Sequence, residues 1–187
     1  MRIGNPLNED VFMGPLINEA SIKRVLRYND LSKKEGARIL LQGKRLTGRE
    51  HSKGNFMSPH VYRMEYKPKS KVLHEEVFGP HVAIIPVNDL DEAIEVYNST
   101  DYGLAMAVIT EDYRKAREAR ERCDFGLGYV NLPSIGAEVH LPFGGLKKSG
   151  TGLPSASTLV DVVTHRVAWT VNNASEIKMA QGMKVKV

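Results

Sequence analysis

The amino-acid sequence predicts an α/β fold: a mostly parallel sheet with helices on both faces and an extra C-terminal strand. Three observations carry this reading. Strand-like apolar runs alternate with helix-period segments across residues 80–132. The segments between the runs are too long for hairpin turns and suit helical crossovers, which join parallel strands. The 187 residues are 42% hydrophobic and 26% charged, within the usual range for a domain that buries a core of ordinary size.

The first helix is expected from near Asn18 to Glu35, with Ile22, Val25 and Leu26 at helical spacing, Asn18 as N-cap and Gly36 as the stop. Ala37 to Leu41 reads as a buried strand that ends by Gly43. Residues 43–55 are basic, glycine-containing and aperiodic, which predicts an exposed loop. Phe56 to Met64 is strand-like and Pro68 closes it. His81 to Val87 (HVAIIPV) is too short for a helix and predicts a central strand, with Pro86 at its end because an interior proline removes a ladder hydrogen bond. Leu90, Ala93, Ile94 and Tyr97 then mark the strongest helix, capped by Asn88 or Asp89. Ala105 to Ile109 is the next strand, Thr110 the expected cap of a charged helix running to Cys123, and Gly126 to Leu132 a further strand. A short helix is expected near residues 154–162. Arg166 to Val171 has strand character apart from the main sheet, and the closing Lys–Val alternation suits a terminal strand that pairs with another chain.

Charge and composition exclude several classes of function. Twenty-six Lys and Arg against 22 Asp and Glu give a net charge of +4. The basic residues alternate with acids, as between Arg114 and Arg122, which is the pattern of a solvated helix face. The basic loop 43–53 (GKRLTGREHSK) lacks the interleaved aromatics that stack on bases, so no nucleic-acid partner is expected. No apolar run reaches the length of a membrane span, and MRIGNPLNED has no apolar core of a secretory signal. A soluble, cytoplasmic protein is the expectation, in line with a single cysteine.

That cysteine, Cys123, falls near a helix C-terminus, where the helix dipole opposes a thiolate, so it reads as a structural thiol rather than a nucleophile. The six histidines show no HxxxH or HExxH spacing, and no metal is proposed. GGLKKSGTG at 144–152 lacks the Gly-Lys-Ser/Thr of a phosphate loop, and no GxGxxG occurs. The segment His74-Glu75-Glu76-Val77-Phe78-Gly79-Pro80 is more informative. It sets two carboxylates and an aromatic on one turn before a strand, where a carboxylate can accept hydrogen bonds from sugar hydroxyls and a ring can pack on a planar group.

Several segments, taken together, resemble the aldehyde dehydrogenase superfamily. They are Gly14-Pro15-Leu16-Ile17, Glu75-Glu76-Val77-Phe78-Gly79-Pro80, Asn98-Ser99-Thr100-Asp101-Tyr102-Gly103-Leu104, Tyr129-Val130-Asn131, and Pro142-Phe143-Gly144-Gly145-Leu146-Lys147 with Ser149-Gly150. Their order and spacing match the C-terminal part of that family from near residue 2 to about residue 172.

The resemblance implies an enzyme oxidising an aldehyde to a carboxylic acid with NAD or NADP, through a cysteine nucleophile and a glutamate that activates water. It implies that Glu76 holds the nicotinamide ribose and that Phe78 packs near the nicotinamide. It places Ser134, Ile135, Gly136 and Ala137 at the far end of the aldehyde, with Phe143 bordering the same tunnel. A semialdehyde of amino-acid catabolism is the expected substrate class. The nucleophilic cysteine, the general base and the dinucleotide-binding half are expected upstream of Met1, so no catalytic residue is assigned here and the chain alone is expected to be inactive. Residues 1–153 are expected to form part of the catalytic domain, and 154–187 a helix and strand tail that builds a homo-oligomer. The alternative is a non-catalytic interaction or oligomerisation module derived from the same fold.

Overall fold

The computed structural model describes residues 1–150, 155, 158–173 and 175. In chain order the elements are α1 (Glu19–Lys34), β1 (Arg38–Leu41), β2 (His60–Arg63), α2 (Lys71–His74), β3 (His81–Ile84), α3 (Leu90–Asn98), β4 (Tyr102–Gly103), β5 (Ala105–Val108), α4 (Tyr113–Arg122), β6 (Leu127–Val130), β7 (Leu146–Lys147) and α5 (Leu159–Val163). The architecture is α/β with parallel sheet segments. β2 pairs in parallel with β3, and β5 with β6, whereas β1–β2 and β4–β7 are antiparallel.

α1 starts where Asn18 accepts a hydrogen bond from the Ser21 N–H, at 2.9 Å, and stops at Glu35 before Gly36 at φ +90°. Ile22, Val25, Asn29 and Ser32 form its buried stripe at the spacing of one helix face. The apolar upper part packs with Met57, Tyr62, Met64, Val72 and Val77 into the core. The polar lower part meets His60, which is fully buried. There the Gly43 N–H donates to His60 Nδ1 at 3.1 Å, which puts the ring proton on Nε2, 3.0 Å from Ser32 Oγ. Ser32 Oγ in turn donates to the Asn29 carbonyl at 2.8 Å, and Asn29 Nδ2 donates to the Gly43 carbonyl at 3.2 Å. The register of β2 on β3 sets His60 beside His81, with the two rings stacked 5.2 Å apart.

The second half is joined by side chains from the resembling segments. Asn98 Nδ2 donates to the Arg122 carbonyl at 2.8 Å and Asn98 Oδ1 accepts from the Asp124 N–H at 2.9 Å, which ties α3 to the end of α4. Lys147 donates to the Asn98 carbonyl at 2.7 Å and pairs with Asp124 at 3.0 Å. Asn131 adopts φ +55°, a left-handed conformation that asparagine tolerates better than most residues. It exchanges two hydrogen bonds with Thr110, at 2.8 and 3.0 Å.

Several expectations are corrected. Ala37–Leu41 is not a buried strand: β1 is an antiparallel edge with Leu40 and Leu41 half exposed. His81–Val87 is not central, since β2 lies in the middle of the three-stranded sheet and β3 ends at Ile84, before Pro86. Only His60–Arg63 of the 56–64 run is a strand, and the start of the expected 43–55 loop is tied to it by an Arg45–Met57 bridge and hydrogen bonds on either side. Asp112 caps α4, accepting from the Arg114 N–H at 2.8 Å, while Thr110 Oγ1 accepts from the Asp112 N–H one turn earlier. Asp89 caps α3, accepting from the Glu92 N–H at 2.9 Å, and the Glu92 carboxylate accepts from the Asn88 N–H and side-chain amide. α5 spans Leu159–Val163; much of the 151–157 stretch before it and the closing Lys–Val segment lie outside the described residues. Residues 164–173 form no strand within the described chain.

Burial, reinforced by the neighbouring His60, holds the His81 imidazole at about 4, against 6.5 when free. Burial also lowers His60. A folded-state value below the unfolded one means that the unfolded chain binds more protons between them. The stabilisation is therefore complete above pH 6.5 and lost as pH falls toward 4. The melting temperature is expected to fall across that window, and the slope to shrink in His81→Gln, as thermal unfolding at a series of pH values will show.

Candidate functional site

The turn at residues 75–80 is fixed at three places. Tyr28 on α1 donates its hydroxyl to Glu75, Val77 is buried in the core, and the His60 N–H donates to the Pro80 carbonyl at 2.8 Å. Gly79 lies directly on α1: a Cβ there would come 2.4 Å from Val25 Cγ2, so any side chain would lift the turn off the helix. With Val77 turned inward, its neighbours Glu76 and Phe78 are left exposed. Phe78 has φ +54° and is 71% exposed, a costly combination for an aromatic residue. Glu76 makes no hydrogen bond or ion pair among the described residues.

Phe78 borders an apolar cleft of about 530 Å³ together with Met13, Pro15, Leu16, Ile17 and Pro80. The Leu16 N–H donates to the Asn55 carbonyl at 2.8 Å and holds the 13–17 segment in place. Two resembling segments distant in sequence thus meet at one cleft. Glu76 lies two residues from Phe78 in the chain but is not among the cleft's lining residues. A free carboxylate that can accept hydroxyl hydrogens, next to an outward ring on an apolar cleft, fits the nicotinamide and ribose end of a dinucleotide.

A second cavity, of about 460 Å³, lies between β6 and the loop 132–142. Ile135, Gly136 and Ala137 line it, whereas Ser134 and Phe143 do not. Phe143 is half exposed, and its N–H donates to Ser155 Oγ at 2.9 Å. The loop is closed onto β6 by the Tyr129 hydroxyl, which donates to the Gly136 carbonyl. Tyr129 and Glu138 also line the cavity, and neither was singled out from the sequence as a site residue. The available signal was that Glu138 is the single Asp, Glu, Lys or Arg between Leu132 and Leu146. Cys123 is half buried at the end of α4, and burial together with Asp124 raises its thiol above the usual value. That is the opposite of what an attacking thiolate needs.

The sequence profile described as "Aldehyde dehydrogenase family" matches residues 1–167. Similar proteins include a 1-pyrroline-5-carboxylate dehydrogenase of Bacillus licheniformis, 40% identical over 151 residues, covering 80% of this chain and 28% of that protein. An alpha-ketoglutarate semialdehyde dehydrogenase of Haloferax volcanii is 37% identical over 139 residues, covering 74% of this chain and 29% of that protein. Among solved structures, a betaine aldehyde dehydrogenase of Staphylococcus aureus in complex with NAD+ is 33% identical with a TM-score of 0.72, covering 81% of this chain and 30% of that one. The chain belongs to the aldehyde dehydrogenase family. It spans between a quarter and a third of the length of these relatives.

The exposed, left-handed Phe78 leads to a contrast between neighbours. Phe78→Gly removes backbone strain and little buried area, so stability is expected to hold or rise by up to about 1 kcal/mol. Val77→Ala empties part of the core and is expected to cost on the order of 2 kcal/mol. Chemical denaturation of the two variants checks both.

Proposed function

We propose that this chain is the C-terminal portion of an NAD(P)-dependent aldehyde dehydrogenase that oxidises an amino-acid-derived semialdehyde to a carboxylic acid. The observation that carries the reading is the unpartnered Glu76 carboxylate beside the outward Phe78 ring, in a chain of this family. NAD or NADP, when bound, supplies the hydride acceptor. Glu76 would accept hydrogen bonds from the ribose hydroxyls, and Phe78 would limit where the nicotinamide can lie. Orientation of this kind is worth several orders of magnitude in rate when it fixes reacting atoms near contact.

Ser134, Ile135, Gly136 and Ala137 form the far end of the aldehyde site in this proposal, and Phe143 flanks it. The N–H groups of these four loop residues make no hydrogen bond among the described residues, so they are available to a substrate carboxylate. Two of the relatives' names point the same way: one acts on 1-pyrroline-5-carboxylate and the other on a semialdehyde. Cys123, with its raised thiol, is not the nucleophile in this reading, which follows the family resemblance in assigning nucleophile and general base to residues outside these 187. Residues 1–153 act as part of the catalytic domain, and residues 154–187 join subunits into a homo-oligomer. Support for the latter is the exposure of Val167, Trp169 and Val171, which belong to no strand among the described residues. The enzyme works in the cytoplasm in this reading; no helix among the described residues is long and apolar enough to cross a membrane.

Two measurements on the purified chain test this. NAD+ is expected to shift the amide signals of residues 76–79 in NMR spectra, and Glu76→Gln to weaken that binding about tenfold. Unchanged signals, or equal binding by the variant, overturn the cofactor assignment. Aldehyde-dependent NADH formation is expected to stay at the protein-free blank, and sustained turnover abolished by Cys123→Ala overturns the assignment of the nucleophile elsewhere.

A further inference from the structure

The cavity behind β6 has an electrostatic character that the substrate class alone does not specify. Glu138 is the one formally charged residue among the described residues lining it; the others are glycines, aliphatic residues, a proline and Tyr129. Glu138 is exposed and has no hydrogen-bond or ion-pair partner for its carboxylate among the described residues. No lysine or arginine balances it within the cavity. A cavity lined by one free carboxylate and no cation favours a cation over a second anion, most strongly at low ionic strength because Glu138 is exposed. The half-buried Tyr129 adds to this, because the face of an aromatic ring attracts ammonium groups.

We infer that Glu138 selects aldehydes whose far end carries an ammonium group, so that an α-amino semialdehyde is taken in preference to an amine-free oxo acid of the same length. The inference rests on the substrate-end assignment proposed above and makes it more specific. The zwitterionic end of an amino acid matches the two kinds of group that line the cavity here. In this inference its carboxylate meets the free N–H groups of residues 135–137, and its ammonium meets Glu138 and the ring of Tyr129. An amine-free carboxylate gains the first set of contacts but faces Glu138 uncompensated.

L-glutamate and glutarate differ in that ammonium alone and serve as unreactive probes of the far end. In titrations of the isotope-labelled chain followed by NMR, L-glutamate is expected to shift the amide signals of residues 134–138 with a Kd about tenfold lower than that of glutarate. Glu138→Gln is expected to bring the two Kd values within about twofold of one another, with the melting temperature unchanged because the side chain is exposed and unpartnered. Equal Kd values in the unsubstituted chain, tighter binding of glutarate, or a preference that survives Glu138→Gln overturns the role of Glu138 and leaves the substrate-end assignment standing. If neither probe moves the 134–138 signals, the substrate-end assignment falls and this inference falls with it.

Discussion

The contact between Gly79 and Val25 is the constraint on which the candidate cofactor site depends. Val25 is fully buried on α1, and it leaves no room for even a methyl group on the turn above it. The turn lies against the helix with Val77 in the core, and Glu76 and Phe78 on either side of it are exposed. The strain of a left-handed Phe78 is sustained because the Val77 core packing, the Tyr28–Glu75 bond and the Pro80–His60 bond fix the turn on either side. Stability here is concentrated in residues that take no part in chemistry, and it is used to hold exposed residues in a costly conformation.

Beneath the turn, the same helix supports a polar cluster rather than more hydrocarbon. His60 needs both ring nitrogens satisfied, and it finds them in a backbone N–H from Gly43 and a hydroxyl from Ser32. Gly43 can approach only because it lacks a side chain; a Cβ would come 2.8 Å from that of His60. Directional bonds of this kind fix the depth and rotation of β2 more tightly than apolar contact does. Since β3 is registered on β2, residue for residue from His60–His81 to Arg63–Ile84, the position of the turn follows from that of a buried histidine.

Much of this was legible in the sequence, and the failures have physical causes. The helical stripe of α1, its Asn18 cap and the Gly36 stop are local signals, and they place the helix correctly. The cap of α4 was misread because Thr110 and Asp112 are both good capping residues, and only the path of the chain after β5 decides between them. The strand at 81–84 looked central because its composition is that of a buried strand; its edge position depends on pairing partners, which composition does not encode. The resemblance puts the far end of the aldehyde at residues 134–137 and 143, yet Ser134 and Phe143 fall outside the cavity that Ile135, Gly136 and Ala137 line. The two residues that give the cavity its character, Tyr129 and Glu138, come together through the hydrogen bond that folds Gly136 back onto β6. That is a long-range fact no local pattern announces.

The tail has a spectroscopic consequence. Trp169 is the only tryptophan in the chain, and it is 83% exposed on the segment that leaves α5. The core contains tyrosines and no indole, so indole emission from this protein reports the surroundings of the tail and nothing of the folded core. Docking of the 164–173 segment against any apolar surface will move that emission to shorter wavelength, which makes Trp169 a built-in reporter of what the tail touches.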